Sequence, residues 1–340
     1  MAVTKLSKSS VLRALSKVPA FPPIAAKLLG LLAREPVDLG RVADLVRGDP
    51  MLSARVLQCV NSVEFGRAHE IKDIRSALAF LGLDRTRQIT VTLATQGYAK
   101  AALGAAELRR CWEHTLATAV LADEIASACG LFSGVAYTAG IIHDIGRLGL
   151  LVAYPREYEC VIRDAAERCV DLLDFEFEQF GVHHAEAGRI LSERWGLPDE
   201  FRIVAGRHHD RPEAAELDLL GIVQAACQMA DILGFYVTRP LVTQRIEDAL
   251  ALLPSPAREQ FERSPEELHS RITERIASFE RMDNGGPASA GTDLPFTSEI
   301  PESPPEVYEP PPELRYSGRA QIVLGIIAAL ISIYLIWRSW

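Results

Sequence analysis

The chain has 340 residues, of which 48% are hydrophobic and 24% charged, and a formal net charge of −9. That length can bury a substantial core in one large or two modest domains. The acidic balance argues against direct nucleic-acid binding, which calls for a basic surface to neutralise phosphates.

The first segment, residues 1–18, reads "MAVTKLSKSSVLRALSKV". It lacks the continuous apolar core of a secretory signal, so the folded part is expected in the cytosol. Residues 1 to 100 carry fifteen Lys plus Arg against eight Asp plus Glu, scattered as on solvated helix faces. From residue 19 onward "PPIAAKLLGLLA", "DLGRVADLVRGD", "PMLSARVLQCVNS" and "IRSALAFLGL" place apolar residues three and four apart, and so do "CWEHTLATAVLADEIASACG", "EAGRILSERWG" and "ELDLLGIVQAACQMADILGF". That period predicts amphipathic helices, and alternating β-branched runs with hairpin turns are missing. The fold class is therefore all-α, a multi-helix bundle.

Gly48-Asp49-Pro50, Gly130, Gly196-Leu197-Pro198 and Arg239-Pro240 mark helix ends, by the backbone freedom of Gly and the missing amide of Pro. Two helical lobes are expected, over 19–105 and 106–282. The six cysteines, Cys59, Cys111, Cys129, Cys160, Cys169 and Cys227, show no C-x-x-C pair and no zinc-finger spacing, and read as small buried hydrophobes in a reducing compartment. Trp112 and Trp195 are expected in the core.

Residues 283–318 are rich in Pro, Ser, Gly and acidic side chains, the composition of an extended linker. Residues 319–340 contain "AQIVLGIIAALISIYLIW". At about 1.5 Å per residue this apolar run reaches about 27 Å, close to a bilayer core. Arg315, Arg319 and Arg338 flank it, and Tyr334, Trp337 and Trp340 sit near its distal end as interfacial anchors. A transmembrane tail anchor is expected; the competing assignment is a buried terminal helix.

The chemistry-bearing residues concentrate in the second lobe. All histidines but His69 and His269 fall between His114 and His209, as His114, His143-Asp144, His183-His184 and His208-His209, and Asp231 follows. Imidazole and carboxylate suit divalent iron, manganese, nickel or zinc, and a bundle can gather them in its interior. The same residues would also serve as a hydrogen-bonded polar core. Glu113 and Asp123 are expected to be solvated or to back the site, and "DLLDFEFEQF", residues 171–180, to form an amphipathic helix leading into His183-His184.

"WEHTLATAVLADEIA", "AGIIHDIGRLGL", "GVHHAEAGRILSERWGLPDEFRIVAGRHHD" and "CQMADILG" resemble the HD superfamily of metal-dependent phosphohydrolases. "FPPIAAKLLGLL", "VDLGRVADLVRGDPMLSARVLQCVNSVEFG" and "IKDIRSALAFLGLDRTRQI" resemble the amino-terminal helices of the HDOD domain, the HD-related output domain of bacterial signalling proteins. Asp49-Pro50 and Asn61-Ser62 are its most specific marks, and the resemblance covers Pro19 to Gly234. It implies that His114, His143, Asp144 and Asp231 hold one divalent transition-metal ion. Asp144 would bridge to a second ion held by His184, His208 and His209.

The departures point away from turnover. HD-GYP phosphodiesterases follow their His-His pair with Asp-Gly and Gly-Tyr-Pro segments, which "HHDRPEAAEL" lacks. Arg147 stands where the HD motif usually continues with lysine, Arg110 where some relatives carry a carboxylate, and His183 where an Asp is common. The resemblance implies a signalling module at the cytoplasmic face of the bacterial inner membrane, acting through a protein partner or a nucleotide ligand. The alternative is a metal-dependent phosphohydrolase acting on a nucleotide or cyclic dinucleotide, with Asp144 and Arg147 as its catalytic residues.

Overall fold

In a computed structural model of the chain, the described residues are 5–19, 23–32, 37–61, 71–99, 106–131, 133–211, 217–242 and 245–284. The expected linker, apart from its first two residues, and the expected anchor at 319–340 lie outside them. Chain contacts gather Met1–Ala288 into one unit and Ser289–Trp340 into a second, which also lies outside the described residues.

The described residues form sixteen helices and no strand. The amino-terminal set is α1 (Lys8–Leu15), α2 (Pro23–Leu32), α3 (Leu39–Arg47), α4 (Pro50–Val60) and α5 (Ile74–Ala99). The second set begins with α6 (Ala106–Ala128), α7 (Ser133–Ile142), α8 (Ile145–Ala153), α9 (Pro155–Arg168), α10 (Leu172–Phe180) and α11 (His184–Arg194). It continues with α12 (Asp199–Arg207), α13 (Leu219–Ile232), α14 (Ile246–Leu250), α15 (Ser255–Gln260) and α16 (Pro265–Asn284).

Local chemistry sets these boundaries. Side chains of Ser7, Asp38, Asp171 and Asp218 accept the free first-turn amides of α1, α3, α10 and α13. Gly130 and Gly196 follow α6 and α11 with φ of 67° and 65°, as expected for helix stops. Gly82, at φ 71° and ψ 177°, breaks α5 into two helical stretches, a conformation open to glycine alone.

Two of the sequence marks have a structural reason. Asp49 Oδ1 accepts the Leu52 amide at 3.0 Å, capping α4, whose first residue is Pro50. Asn61 exchanges two hydrogen bonds of 2.7 Å with the backbone of Ile71, joining the end of α4 to the residues that lead into α5.

Helix α6 is the axis of the second set. It packs on α7, α13, α9, α15 and α16, while α5 packs across α7 and on α2, α3 and α4. Leu116, Ala117, Ala119, Val120, Leu121, Ala122, Ile125 and Ala126 are all buried, as in a helix surrounded by others. Trp112 and Trp195 are buried too.

Asp123 is neither solvated nor beside the metal-ligand candidates. It accepts from Gln88 of α5 at 2.9 Å and Arg275 of α16 at 3.2 Å, and Glu124 receives Arg271 and Arg275 at 2.7 and 2.8 Å. Both carboxylates are buried, so these pairs tie α16 to the core. Cys169 is exposed, at φ 51°, against the expectation of burial.

Among the described residues one stretch is long and apolar enough to cross a membrane, Gly134–Ala153, and it is 89% buried inside the fold. It is the α7–α8 pair, a core element broken in the middle by His143 and Asp144.

Candidate metal centre

His143 and Asp144 form the turn between α7 and α8, with His143 fully buried. Asp144 occupies the N-cap of α8, yet its side chain makes no cap hydrogen bond, which leaves the carboxylate to face the interior. Two positions on, a side chain at Gly146 would meet His184 O at 1.9 Å and Gly188 N at 2.5 Å. Only glycine lets α8 press this closely on α11 and bring Asp144 beside His184.

His184 opens α11, and its neighbour His183 is the N-cap, accepting the Glu186 amide on Nδ1 at 3.2 Å. His183 thus does the capping that an Asp would do there. His208 and His209 follow α12, His114 lies within α6, and Cys227 and Asp231 lie one turn apart on α13.

These elements bring two groups of donors together. In the first, His114 Nε2 lies 3.4 Å from His143 Nε2 and 3.5 Å from Cys227 Sγ. In the second, His184 Nε2 lies 3.3 Å from His208 Nε2 and 2.9 Å from His209 Nε2. Asp144 stands between them. Its Oδ1 is 3.4 Å from His184 Nε2 and 3.5 Å from His208 Nε2, and its Oδ2 is 3.9 Å from His114 Nε2 and 3.7 Å from His143 Nε2. His209 is exposed, at the rim.

Hydrogen bonding sets the tautomers. Nδ1 of His114 donates to Phe235 O at 2.9 Å, that of His143 to Gly140 O at 2.6 Å and that of His208 to Val204 O at 3.2 Å. A carbonyl only accepts, so in the neutral ring each Nε2 carries the lone pair. His184 Nδ1 faces Glu176 Oε2 at 2.6 Å, which assigns it the same tautomer.

Four imidazole lone pairs therefore converge, and burial holds His143 and His184 well below the usual imidazole range, against protonation. Burial also acts to raise the Asp144 pKa, but the Arg147 guanidinium beside it outweighs this and keeps the carboxyl well below the carboxylate range. Its Oδ1 is buried without a hydrogen-bond partner. An ionised oxygen and several nitrogen lone pairs facing one another need a cation among them. A divalent ion bonded to two imidazoles at about 2.0–2.1 Å in a tetrahedral arrangement separates the nitrogens by about 3.3–3.4 Å. His114–His143 and His184–His208 have that separation, so the donor set fits a metal.

Arg147 is buried among the acidic groups. Its Nε donates to Asp144 Oδ2 at 2.7 Å, and Nη1 donates to Glu176 Oε1 at 3.1 Å and Tyr158 Oη at 3.4 Å. Tyr158 donates to Glu176 Oε1 at 2.6 Å, and Glu176 Oε2 accepts the His184 amide at 2.7 Å. Burial pushes the Glu176 pKa upward, against the pull of Arg147, Tyr158 and the His184 amide. Donors on both of its oxygens are the pattern of an ionised carboxylate. With one guanidinium for two carboxylates, the buried cluster keeps a net negative charge that a cation offsets.

The structure thus brings together His114, His143, Asp144, His184, His208 and His209. Asp231 lies on the other side of His114, with Oδ1 at 3.4 Å from Nδ1, the ring nitrogen that faces away from His143, and a side chain 36% exposed. Glu176, Tyr158 and Cys227 escaped the sequence reading. Glu176 had a signal, because it shares the stripe 172, 175, 176, 180 with Leu172, Phe175 and Phe180, all buried; a carboxylate in an apolar stripe needs a partner. Cys227 precedes Asp231 by four positions and so shares its helix face.

The HDOD domain family matches residues 18–211. An uncharacterised protein of Treponema pallidum (strain Nichols) is 26% identical over 215 residues, 63% of this chain and 41% of its own length, so the chain spans well under two thirds of that relative. The solved structure of an HDOD domain protein of unknown function from Geobacter sulfurreducens shares 24% identity at a TM-score of 0.65, covering 82% of this chain and 97% of that one. A candidate phosphohydrolase from Shewanella amazonensis SB2B shares 24% identity at a TM-score of 0.59, covering 82% and 98%. At those identities the two structures bear on the fold alone.

Proposed function

The chain belongs to the HDOD domain family, and we propose that it works as a metal-binding signalling module, held at the cytosolic face of a membrane by residues 319–340 and acting through a protein partner or a nucleotide ligand. The position of Arg147 carries this reading. Where the resembled HD motif usually continues with a lysine, this chain has a buried guanidinium whose bonds go to Asp144, Glu176 and Tyr158. That cation is tied to both carboxylates and is not free to hold a phosphate. The membrane attachment rests on the apolar run of the sequence.

The test is metal analysis of the purified full-length chain together with a panel of phosphodiester and nucleotide substrates. The expected result is stoichiometric divalent metal, lost in His143→Ala, and no steady turnover. A metal-free protein with an unchanged melting temperature in His143→Ala removes the reading.

A second reading, a metal-dependent phosphohydrolase, draws on Asp144 standing between two complete donor groups, the disposition for a carboxylate that bridges two ions. When bound, such ions would activate a water for attack on a phosphodiester. In that case Asp144 and the histidines hold and orient the centre, with His209 at its exposed rim. Steady turnover abolished by Asp144→Asn establishes this reading in place of the first.

A further inference from the structure

We infer that Cys227 is a metal ligand, its thiolate joining His114 and His143 in a two-histidine, one-cysteine pocket that takes a thiophilic divalent ion such as zinc or cobalt. The inference rests on the metal-binding reading above and adds which atoms hold one of the ions and which class of ion they select.

Geometry carries it. A tetrahedral ion bonded at about 2.3 Å to sulfur and about 2.0–2.1 Å to nitrogen separates S from N by about 3.5–3.6 Å and N from N by about 3.3–3.4 Å. Cys227 Sγ lies 3.5 Å from His114 Nε2, and the two Nε2 atoms lie 3.4 Å apart. The three donor atoms lie within 4.8 Å of one another, and all three residues are buried. Asp144 Oδ2, at 3.9 and 3.7 Å from the two nitrogens, stands near a fourth position.

The rival for this place is Asp231, one turn further along α13. It approaches His114 at Nδ1, which already faces the Phe235 carbonyl at 2.9 Å, and not at the Nε2 lone pair that His143 shares. The two ring nitrogens point apart, so a carboxylate on the Nδ1 side orients the ring while the sulfur on the Nε2 side meets the ion.

The chemistry then divides the centre. Histidines with a carboxylate, as in the second group, suit iron, manganese and other ions tolerant of nitrogen and oxygen. A thiolate shifts the first group toward zinc and cobalt and away from magnesium, calcium and manganese. The plain alternative is a Cys227 thiol that donates a hydrogen bond to His114 Nε2 and binds nothing.

Cobalt(II) titration of the chelator-stripped, full-length chain separates these cases. The expected result is a near-ultraviolet sulfur-to-cobalt charge-transfer band alongside the visible ligand-field bands. Cys227→Ser loses the charge-transfer band and binds cobalt about tenfold or more weakly, whereas Asp231→Asn and Cys111→Ser keep the band. X-ray absorption of the zinc-loaded native chain, which depends on no variant, shows a sulfur scatterer at about 2.3 Å. Ligand-field bands without charge transfer and a shell of nitrogen and oxygen alone overturn the role of Cys227 and leave metal binding standing. A charge-transfer band that survives in Cys227→Ser overturns it as well. Failure to bind cobalt or zinc at all overturns both this inference and the reading on which it rests.

Discussion

Glu176 Oε2 accepts from His184 twice, from the backbone amide at 2.7 Å and from ring Nδ1 at 2.6 Å. The pair of bonds fixes both the start of α11 and the direction in which His184 Nε2 points, toward Asp144 and His208. A carboxylate behind a ligating imidazole raises its basicity and holds its orientation. Glu176→Gln keeps the shape, removes the charge and can turn an amide donor toward Nδ1. Metal affinity is expected to fall by about 10–100-fold, read by competition with a chromophoric chelator, with far-ultraviolet circular dichroism unchanged.

Arg147→Lys introduces the residue with which the resembled HD motif usually continues. Lysine offers a single flexible ammonium and cannot serve Asp144 and Glu176 in the geometry of the guanidinium fork. The expected outcome is a loss of about 1–3 kcal/mol in urea unfolding, with no gain of phosphodiester turnover. Turnover appearing in this variant would mean that the arginine alone silences a competent centre.

Much of this was legible beforehand, and the exceptions have physical causes. The helical period and the Gly stops of α6 and α11 are local signals, visible in any window of the chain. The histidines stood out because imidazoles are rare in apolar helices. Cys227 gave no such contrast, since a cysteine in an apolar helix looks like core until its distance to His114 Nε2 is known. Asp123 gives no local signal of its burial for a similar reason. Its partners, Gln88 and Arg275, lie 35 and 152 positions away, and nothing in its own neighbourhood announces them. Asp231 shares a helix face with Cys227, and a sequence cannot say which of two residues one turn apart reaches a given ring nitrogen.

The apolar run in 319–340 predicts a partition between compartments. Full-length protein is expected to sediment with membranes and resist extraction by high salt or alkaline carbonate, because about 18 apolar residues are enough to span a bilayer core. A chain ending at residue 318 is expected in the soluble fraction with its helical content retained. Equal solubility of the two chains removes the anchor.

Metal removal should cost stability in a way that a polar core does not. An ion that binds the native state alone stabilises it by about 2.7 kcal/mol at a free concentration one hundred times its Kd. Unfolding midpoints in urea are therefore expected to rise with free zinc or cobalt and to fall on chelation. The converging lone pairs of His114, His143, His184 and His208 sharpen the effect, since without the ion they repel. A midpoint indifferent to chelator would identify the cluster as hydrogen-bonded core.

Alkaline pH should destabilise the fold before any helix-breaking chemistry begins. Burial pushes the Cys111 thiol up to about 12 and raises the Tyr137 phenol as well, although Thr92, at 2.9 Å, pulls the latter down. The folded pKa of each lies above its unfolded value, so the unfolded chain releases these protons first. The thiol's contribution is complete below an unfolded pKa of about 8.5 and is lost as pH rises toward 12, while the phenol's begins to be lost only above an unfolded pKa of about 10. Each such group removes about 1.4 kcal/mol per pH unit within its window. Urea midpoints measured from pH 8 to pH 11 are expected to fall progressively, and Cys111→Ala should flatten the first part of that decline even though the cavity it leaves lowers stability at every pH. A decline of unchanged slope in Cys111→Ala would show that the thiol is not protected as its position in the core implies.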